Sequence, residues 1–150
     1  MSRAFVKESA ESAAPPERMI SEGPNPVTPM GFQKIVAEVA RLESALESET
    51  NVLLRETLAR DLRYWSVKKA SAEIAPPPEG SAVAFGSRVS LIRNGRAQSL
   101  RIVGEDEADP AHGLVSWRSP LAQALIGAEK GDEIEMEKPR AEIAILAVEN

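Results

Sequence analysis

Two groups of carboxylates and a single histidine are the side chains of this chain with chemistry to offer. Glu105, Asp106, Glu107 and Asp109 crowd into one short stretch, and Glu47 and Glu49 flank Ser48 in a polar run ending at Asn51. Carboxylates are the right ligands for a hard cation. The first group lacks the spacing of a calcium-binding loop and its closing bidentate glutamate, so it reads as a solvated loop between strands. His112 is the only histidine and cysteine is absent, so any Ser-His-Asp or Cys-His nucleophile would have to include His112 or fail. Pro110-Ala111-His112-Gly113 reads as a turn, which makes His112 an exposed loop residue. Gly127 to Gly131 is too sparse to cradle a phosphate. These residues assemble no enzyme active site, resident metal or cofactor site.

Composition narrows the partners. There are 18 Lys and Arg against 23 Asp and Glu, a net charge of −5. That balance argues against tight autonomous binding of nucleic acid, while protein partners with basic surfaces stay open. The negative charge is concentrated after residue 75, where 8 basic residues face 12 acidic ones; residues 31–75 carry 7 of each. The absence of cysteine fits a reducing cytoplasm and excludes a disulfide scaffold. No stretch has the length of a membrane span, and the first residues lack the apolar core of a signal peptide.

Periodicity indicates the elements that hold these groups. Residues 1–27, rich in Ser, Glu, Ala and Pro, are expected to form a disordered tail in which Arg3-Ala4-Phe5-Val6-Lys7 is the one apolar, basic patch. Ile35, Val39, Leu42 and Leu46 recur at helical steps, with Thr28 placed to cap the helix and Pro29 at its first position, where a missing N–H costs nothing. A second seam follows through Leu54, Leu58, Leu62, Trp65 and Ala72, with Trp65 as a structural residue at the hairpin base. Ser48 to Asn51 is the turn between them, so residues 28–75 predict an antiparallel helical hairpin, a short coiled coil. Pro76-Pro77-Pro78 should end the second helix and open a stiff linker over 76–81.

Beyond the prolines the period becomes alternating. Val89 and Leu91 lead into Asn94-Gly95, a strong hairpin signal, and Leu100, Ile102 and Val103 make the return strand. Strands are expected from Gly113 to Arg118, at Ile134 and Met136, and through Ile143, Ile145 and Leu146. Between them Pro120 starts a short helix whose Leu121, Leu125 and Ile126 point one way and which Gly127 closes. The fold class is therefore α+β: a helical hairpin, then a small antiparallel sheet domain with one packed helix over 82–150.

Several of these stretches also carry a resemblance. Val83-Ala84-Phe85-Gly86-Ser87-Arg88-Val89, Val103-Gly104-Glu105-Asp106-Glu107-Ala108-Asp109, Ser119-Pro120-Leu121-Ala122-Gln123-Ala124-Leu125-Ile126-Gly127 and Gly131-Asp132 stand in order over roughly residues 80–149. With Pro26-Val27-Thr28-Pro29-Met30-Gly31 and Lys34-Ile35 upstream, the chain resembles the bacterial Gre transcript-cleavage factors, the GreA/GreB type. The resemblance implies an FKBP-like C-terminal domain that docks on RNA polymerase at the secondary-channel entrance. It implies partner-binding residues at Ser119, Pro120, Leu121, Ala122 and Gln123, and takes Glu107-Ala108-Asp109 as structural or as part of the docking face. The family usually carries a basic residue at the position of Gln123 and a lysine at that of Ala128, so docking here is weakened or retuned.

The hairpin departs further. The cleavage factors carry an aspartate and a glutamate in a Gly-Asp-Leu-x-Glu-Asn-like motif at the tip, where they help hold a magnesium ion in the polymerase active site. Here the matching stretch is Glu47-Ser48-Glu49-Thr50-Asn51, which makes Glu47 and Glu49 only a candidate acidic tip. The arms also read as some three turns shorter than the family's, an economy similar to that of the polymerase-binding relative Rnk. The resulting expectation is a cytoplasmic regulator of transcription elongation that binds RNA polymerase without stimulating cleavage and without being an enzyme. The alternatives are a genuine cleavage factor using Glu47 and Glu49, or an interaction module for another partner. A peptidyl-prolyl isomerase would need an aromatic-lined pocket, for which this domain offers only Phe85 and Trp117.

Overall fold

The computed structural model describes residues 14–150. The predicted disorder of residues 1–13, with the patch at Arg3 to Lys7, lies outside the described residues. Strand β1 (Pro26–Val27) precedes helices α1 (Pro29–Ser48) and α2 (Val52–Ser71), and strand β2 (Glu73–Ile74) follows them. The second half contains β3 (Arg88–Arg93), β4 (Arg96–Val103), β5 (Leu114–Ser116), helix α3 (Pro120–Leu125), β6 (Glu133–Glu137) and β7 (Arg140–Glu149). The described chain divides into two compact units, one of residues 14–24 with 33–71 and one of residues 25–32 with 72–150.

In the first unit a three-residue loop joins two helices of 20 residues each, about 30 Å of axis per arm at 1.5 Å per residue. The first helix buries Ile35, Val39 and Leu42, the seam its periodicity predicts. The second seam is thinner than expected: Leu58, Leu62 and Trp65 are half-buried and Leu54 is exposed, since the first turn of α2 stands at the free end of the hairpin. Helix α2 also stops at Ser71, ahead of the prolines, and leaves Ala72 outside it. The cause is long-range pairing: Glu73 N–H donates to Asn25 C=O and Ala75 N–H to Val27 C=O, each at 2.9 Å, which makes β1 and β2 a parallel pair.

The same contacts correct the disordered-tail expectation for residues 14–27. Residues 26–27 are a strand, and Glu17 and Arg18 are bound to α2 side chains: Glu17 accepts hydrogen bonds from Arg63, and Arg18 pairs with Asp61. Composition alone does not reveal such partners.

The second unit is built on a five-stranded sheet of order β5-β4-β3-β7-β6. Asn94 and Gly95 both take positive φ, 51° and 80°, and so form the tight turn their dipeptide predicts between β3 and β4. The sheet is mixed, not antiparallel: β5 runs parallel to β4, pairing Ile102 with Val115. Two short 3-10 turns, Glu105–Glu107 and Pro110–His112, bring the chain back to the start of β4's partner edge, and this crossover makes the parallel alignment possible. In β7 the register against β3 shifts between Ser90 and Leu91, so Leu146 falls at an irregularity and faces solvent, whereas Ile143 and Ile145 are buried. The core combines Val89, Leu91, Leu100, Ile102, Ile143 and Ile145 with Leu121, Ala122 and Leu125 of α3. Ile126, expected on the inner face of α3, is exposed because the helix ends at Leu125 and the chain turns there into Gly127.

Candidate functional site

The docking residues inferred from the sequence occupy the start of α3. Ser119 caps this helix: its hydroxyl accepts the Ala122 N–H at 3.2 Å, while Pro120 fills the first helical position. Leu121 and Ala122 are buried in the domain's own core, at 7% and 0% exposure, so they support the helix from beneath and do not present a side chain outward. Pro120 and Gln123 are exposed. The Gln123 amide donates to the Trp117 carbonyl at 2.6 Å, tying the helix to the strand-to-helix connection that precedes it. Arg118 lies over the Trp117 ring, 4.7 Å from its centroid, and its Nε sits 3.3 Å from Glu105. The outward surface here is thus Pro120, Gln123 and the guanidinium edge of Arg118. Gly127 N–H donates to Val83 C=O and Val83 N–H to Ala128 C=O, both at 2.8 Å, which pins the far end of α3 to the segment preceding β3.

The acidic stretch resolves into separate structural duties. Glu105 faces Arg118, and the Asp109 carboxylate lies 2.7 Å from Nδ1 of the exposed His112. Glu107 has the most connected role. Its carboxylate accepts the Thr28 N–H at 3.0 Å, the Gly104 N–H at 2.9 Å and the Thr28 hydroxyl. The Thr28 hydroxyl in turn accepts the Gly31 N–H at 3.0 Å, the capping bond its sequence position predicts. A β-carbon on Gly31 would overlap the Glu107 carboxylate, so glycine there leaves room for it. Sequence reading found the cap at Thr28 but not its partner 79 residues away. Glycines at 31 and 104, both against one carboxylate, were the signal that could have found it. Among the described residues no group of three or more His, Cys, Asp or Glu side chains is placed to hold a metal ion.

At the hairpin end, Glu47 lies exposed in the last turn of α1 and Glu49 half-buried in the loop. The loop is closed by its neighbours. Asn51 caps α2 by accepting the Leu54 N–H at 3.0 Å, and the Arg55 guanidinium donates to the main-chain carbonyls of Leu46 and Glu49. What the first turn of α2 presents to solvent is aliphatic: Val52, Leu53 and Leu54 are 71%, 50% and 53% exposed. No helix among the described residues is long and apolar enough to cross a membrane.

The chain is similar to several known proteins. Residues 77–150 match the family described as transcription elongation factor GreA/GreB, C-terminal. Over 158 aligned positions the chain is 32% identical to transcription elongation factor GreB of Neisseria meningitidis, covering 87% of this chain and 97% of that one. It is 31% identical to transcription elongation factor GreA of Desulfovibrio desulfuricans, covering 79% and 88%. Among solved structures, GreA factor homolog 1 of Thermus thermophilus aligns with 18% identity and a TM-score of 0.42, over 85% of this chain and all of that one. The shared sequence runs through both the capped start of α1 and the domain that holds α3, and the chain belongs to the GreA/GreB family of transcription elongation factors.

Proposed function

We propose that this protein is an elongation factor of the GreA/GreB type that binds RNA polymerase at the secondary-channel entrance through the Ser119–Gln123 helix, and that it does not stimulate transcript cleavage. It acts by occupying that entrance and competing with full-length cleavage factors, and is itself no enzyme. A partner of this kind places the protein in the cytoplasm.

The observation that carries the reading is the chemistry of the hairpin end. A magnesium ion is recruited by carboxylates held together within about 2 Å of it. Here one of the two available carboxylates is on the last turn of a helix and the other in a loop, with three exposed aliphatic side chains next to them. Arm length supports the same reading: each helix has 20 residues, about 30 Å of axis, shorter than the hairpin the family resemblance implies.

Purified polymerase captured on the immobilised protein, followed by a cleavage assay on backtracked complexes, tests both halves. Binding without cleavage is expected. Cleavage that disappears in a Glu47→Ala, Glu49→Ala double variant would make this a true cleavage factor, and no binding would remove polymerase as the partner.

A further inference from the structure

Residues 14–24 belong to neither a helix nor a strand, yet they lie on α2 through a specific set of side chains. Asp61, Tyr64 and Trp65 share one face of that helix, three and four residues apart. Tyr64 and Trp65 meet edge to face at 5.2 Å. The Arg18 guanidinium sits over this pair, 3.9 Å from the Tyr64 ring centre and 5.7 Å from that of Trp65, with Asp61 at 3.5 Å. One residue earlier, Glu17 accepts from Arg63 with both carboxylate oxygens, at 3.0 and 3.2 Å from Nε. Arg60 completes the cluster, with its guanidinium 3.0 Å from Asp61.

We propose that residues 14–24 form an electrostatic clasp on α2, closed at low ionic strength and opened by salt, and that its opening bares the Tyr64–Trp65 face of the hairpin. Two features of the contact make it releasable. The Glu17–Arg63 pair is solvent-exposed, with 62% and 58% of the side-chain surfaces accessible, so salt screens it effectively. The contact of Arg18 with the rings is electrostatic too, a cation against the negative faces of aromatic rings. Beneath Arg18 lie two aromatic rings, so opening uncovers an apolar patch beside the charges of Asp61, Arg60 and Arg63. The clasp stands on contacts within the hairpin unit and does not depend on the polymerase reading.

Trypsin reports the clasp directly, because the bond it would cut follows Arg18, whose guanidinium is held on Tyr64. In the full chain, cleavage between Arg18 and Met19 should rise about fivefold between about 50 mM and 500 mM salt, after correction for the effect of salt on trypsin itself, since cleavage follows the population of the open form. Tyr64→Ala should remove the protection at low salt, because it removes the ring on which the cation sits. Acrylamide quenching of Trp65, read in a Trp117→Phe background, should rise over the same salt range while helical circular dichroism stays constant. Cleavage and quenching that do not change with salt overturn the proposal. So does a Tyr64→Ala variant of unchanged helix content that is cut no faster than the parent. If Tyr64→Ala loses its helices, the salt dependence of the parent decides alone.

Discussion

Replacing Glu107 by alanine strands three donors at once. The Thr28 N–H, the Thr28 hydroxyl and the Gly104 N–H all point at its carboxylate, and Thr28 is only 3% exposed, so water cannot readily take the carboxylate's place. A hydrogen bond to a charged group contributes about 1.5–3 kcal/mol, and a buried donor left without an acceptor costs about 1–3 kcal/mol. The three bonds share one carboxylate and are not additive, so a loss of about 3 kcal/mol is the reasonable total. For a chain of this size each kcal/mol shifts the melting temperature by about 2–4 °C, which gives a fall of about 6–12 °C. Glu107→Gln keeps one acceptor oxygen but turns an NH2 group toward a donor, and should recover less than half of the loss. Thermal melts by circular dichroism, repeated in urea, measure both variants. The structure also predicts a change of sign. Gly31→Ala should destabilise the parent, because its β-carbon displaces the same carboxylate. In the Glu107→Ala background it should stabilise by about 0.5–1 kcal/mol, the ordinary helix preference for alanine over glycine. A Glu107→Ala melt within 2 °C of the parent, or Gly31→Ala equally harmful in both backgrounds, would refute the idea that this carboxylate anchors the start of α1.

Pro120→Asp should weaken polymerase binding by about 1 kcal/mol or more while leaving the melting temperature unchanged, since Pro120 is exposed and Leu121 beneath it is untouched; competition binding with the folded variant checks it. The clasp should also respond to acid. The Arg63 hydrogen bond holds the Glu17 carboxyl below its ordinary value of 4.5 despite the opposing effect of burial, with the charges of Arg63 and Arg60 adding to the lowering. A carboxylate with a lowered folded value contributes fully above 4.5 and is lost only as pH falls through that lowered value. Cleavage after Arg18, followed with an acid-tolerant protease of similar specificity, should therefore stay slow from neutral pH to 4.5 and quicken only below it. Trp65→Ala should lower the melting temperature, because the half-buried indole packs against Tyr64; a thermal melt with no shift would assign Trp65 to a partner surface.

What the sequence made readable was whatever has a local period or a local turn. The seam of Ile35, Val39 and Leu42, the Asn94-Gly95 turn, the Thr28 cap and the Ser119-Pro120 helix start each depend on residues within a few positions of one another. What it hid was contact across the chain. The parallel alignment of β5 on β4 leaves the same alternation of side chains as an antiparallel one, so Val115 looks identical in either. Residues 14–24 meet α2 through contacts such as Arg18 with Tyr64, 46 residues on, inside a segment whose composition is that of a disordered tail. At the candidate site, capping chemistry located the helix, but burial divided it: Leu121 and Ala122 serve the core, and Pro120 and Gln123 the surface.

The two-residue strands β1 and β2 look like a minor ornament, but they settle how freely this architecture can change. Residues 26–27 and 73–74 run side by side, so the chain leaves for the hairpin and returns from it at neighbouring points. Everything between those points is topologically an insertion. Turns can be removed from both arms together, or added, without moving either end of the pair or any strand of the larger sheet. A protein built this way can alter its reach by paired deletions alone. Grafting a longer hairpin between Thr28 and Ala72 correspondingly leaves the β1–β2 pair and the larger sheet as they stand.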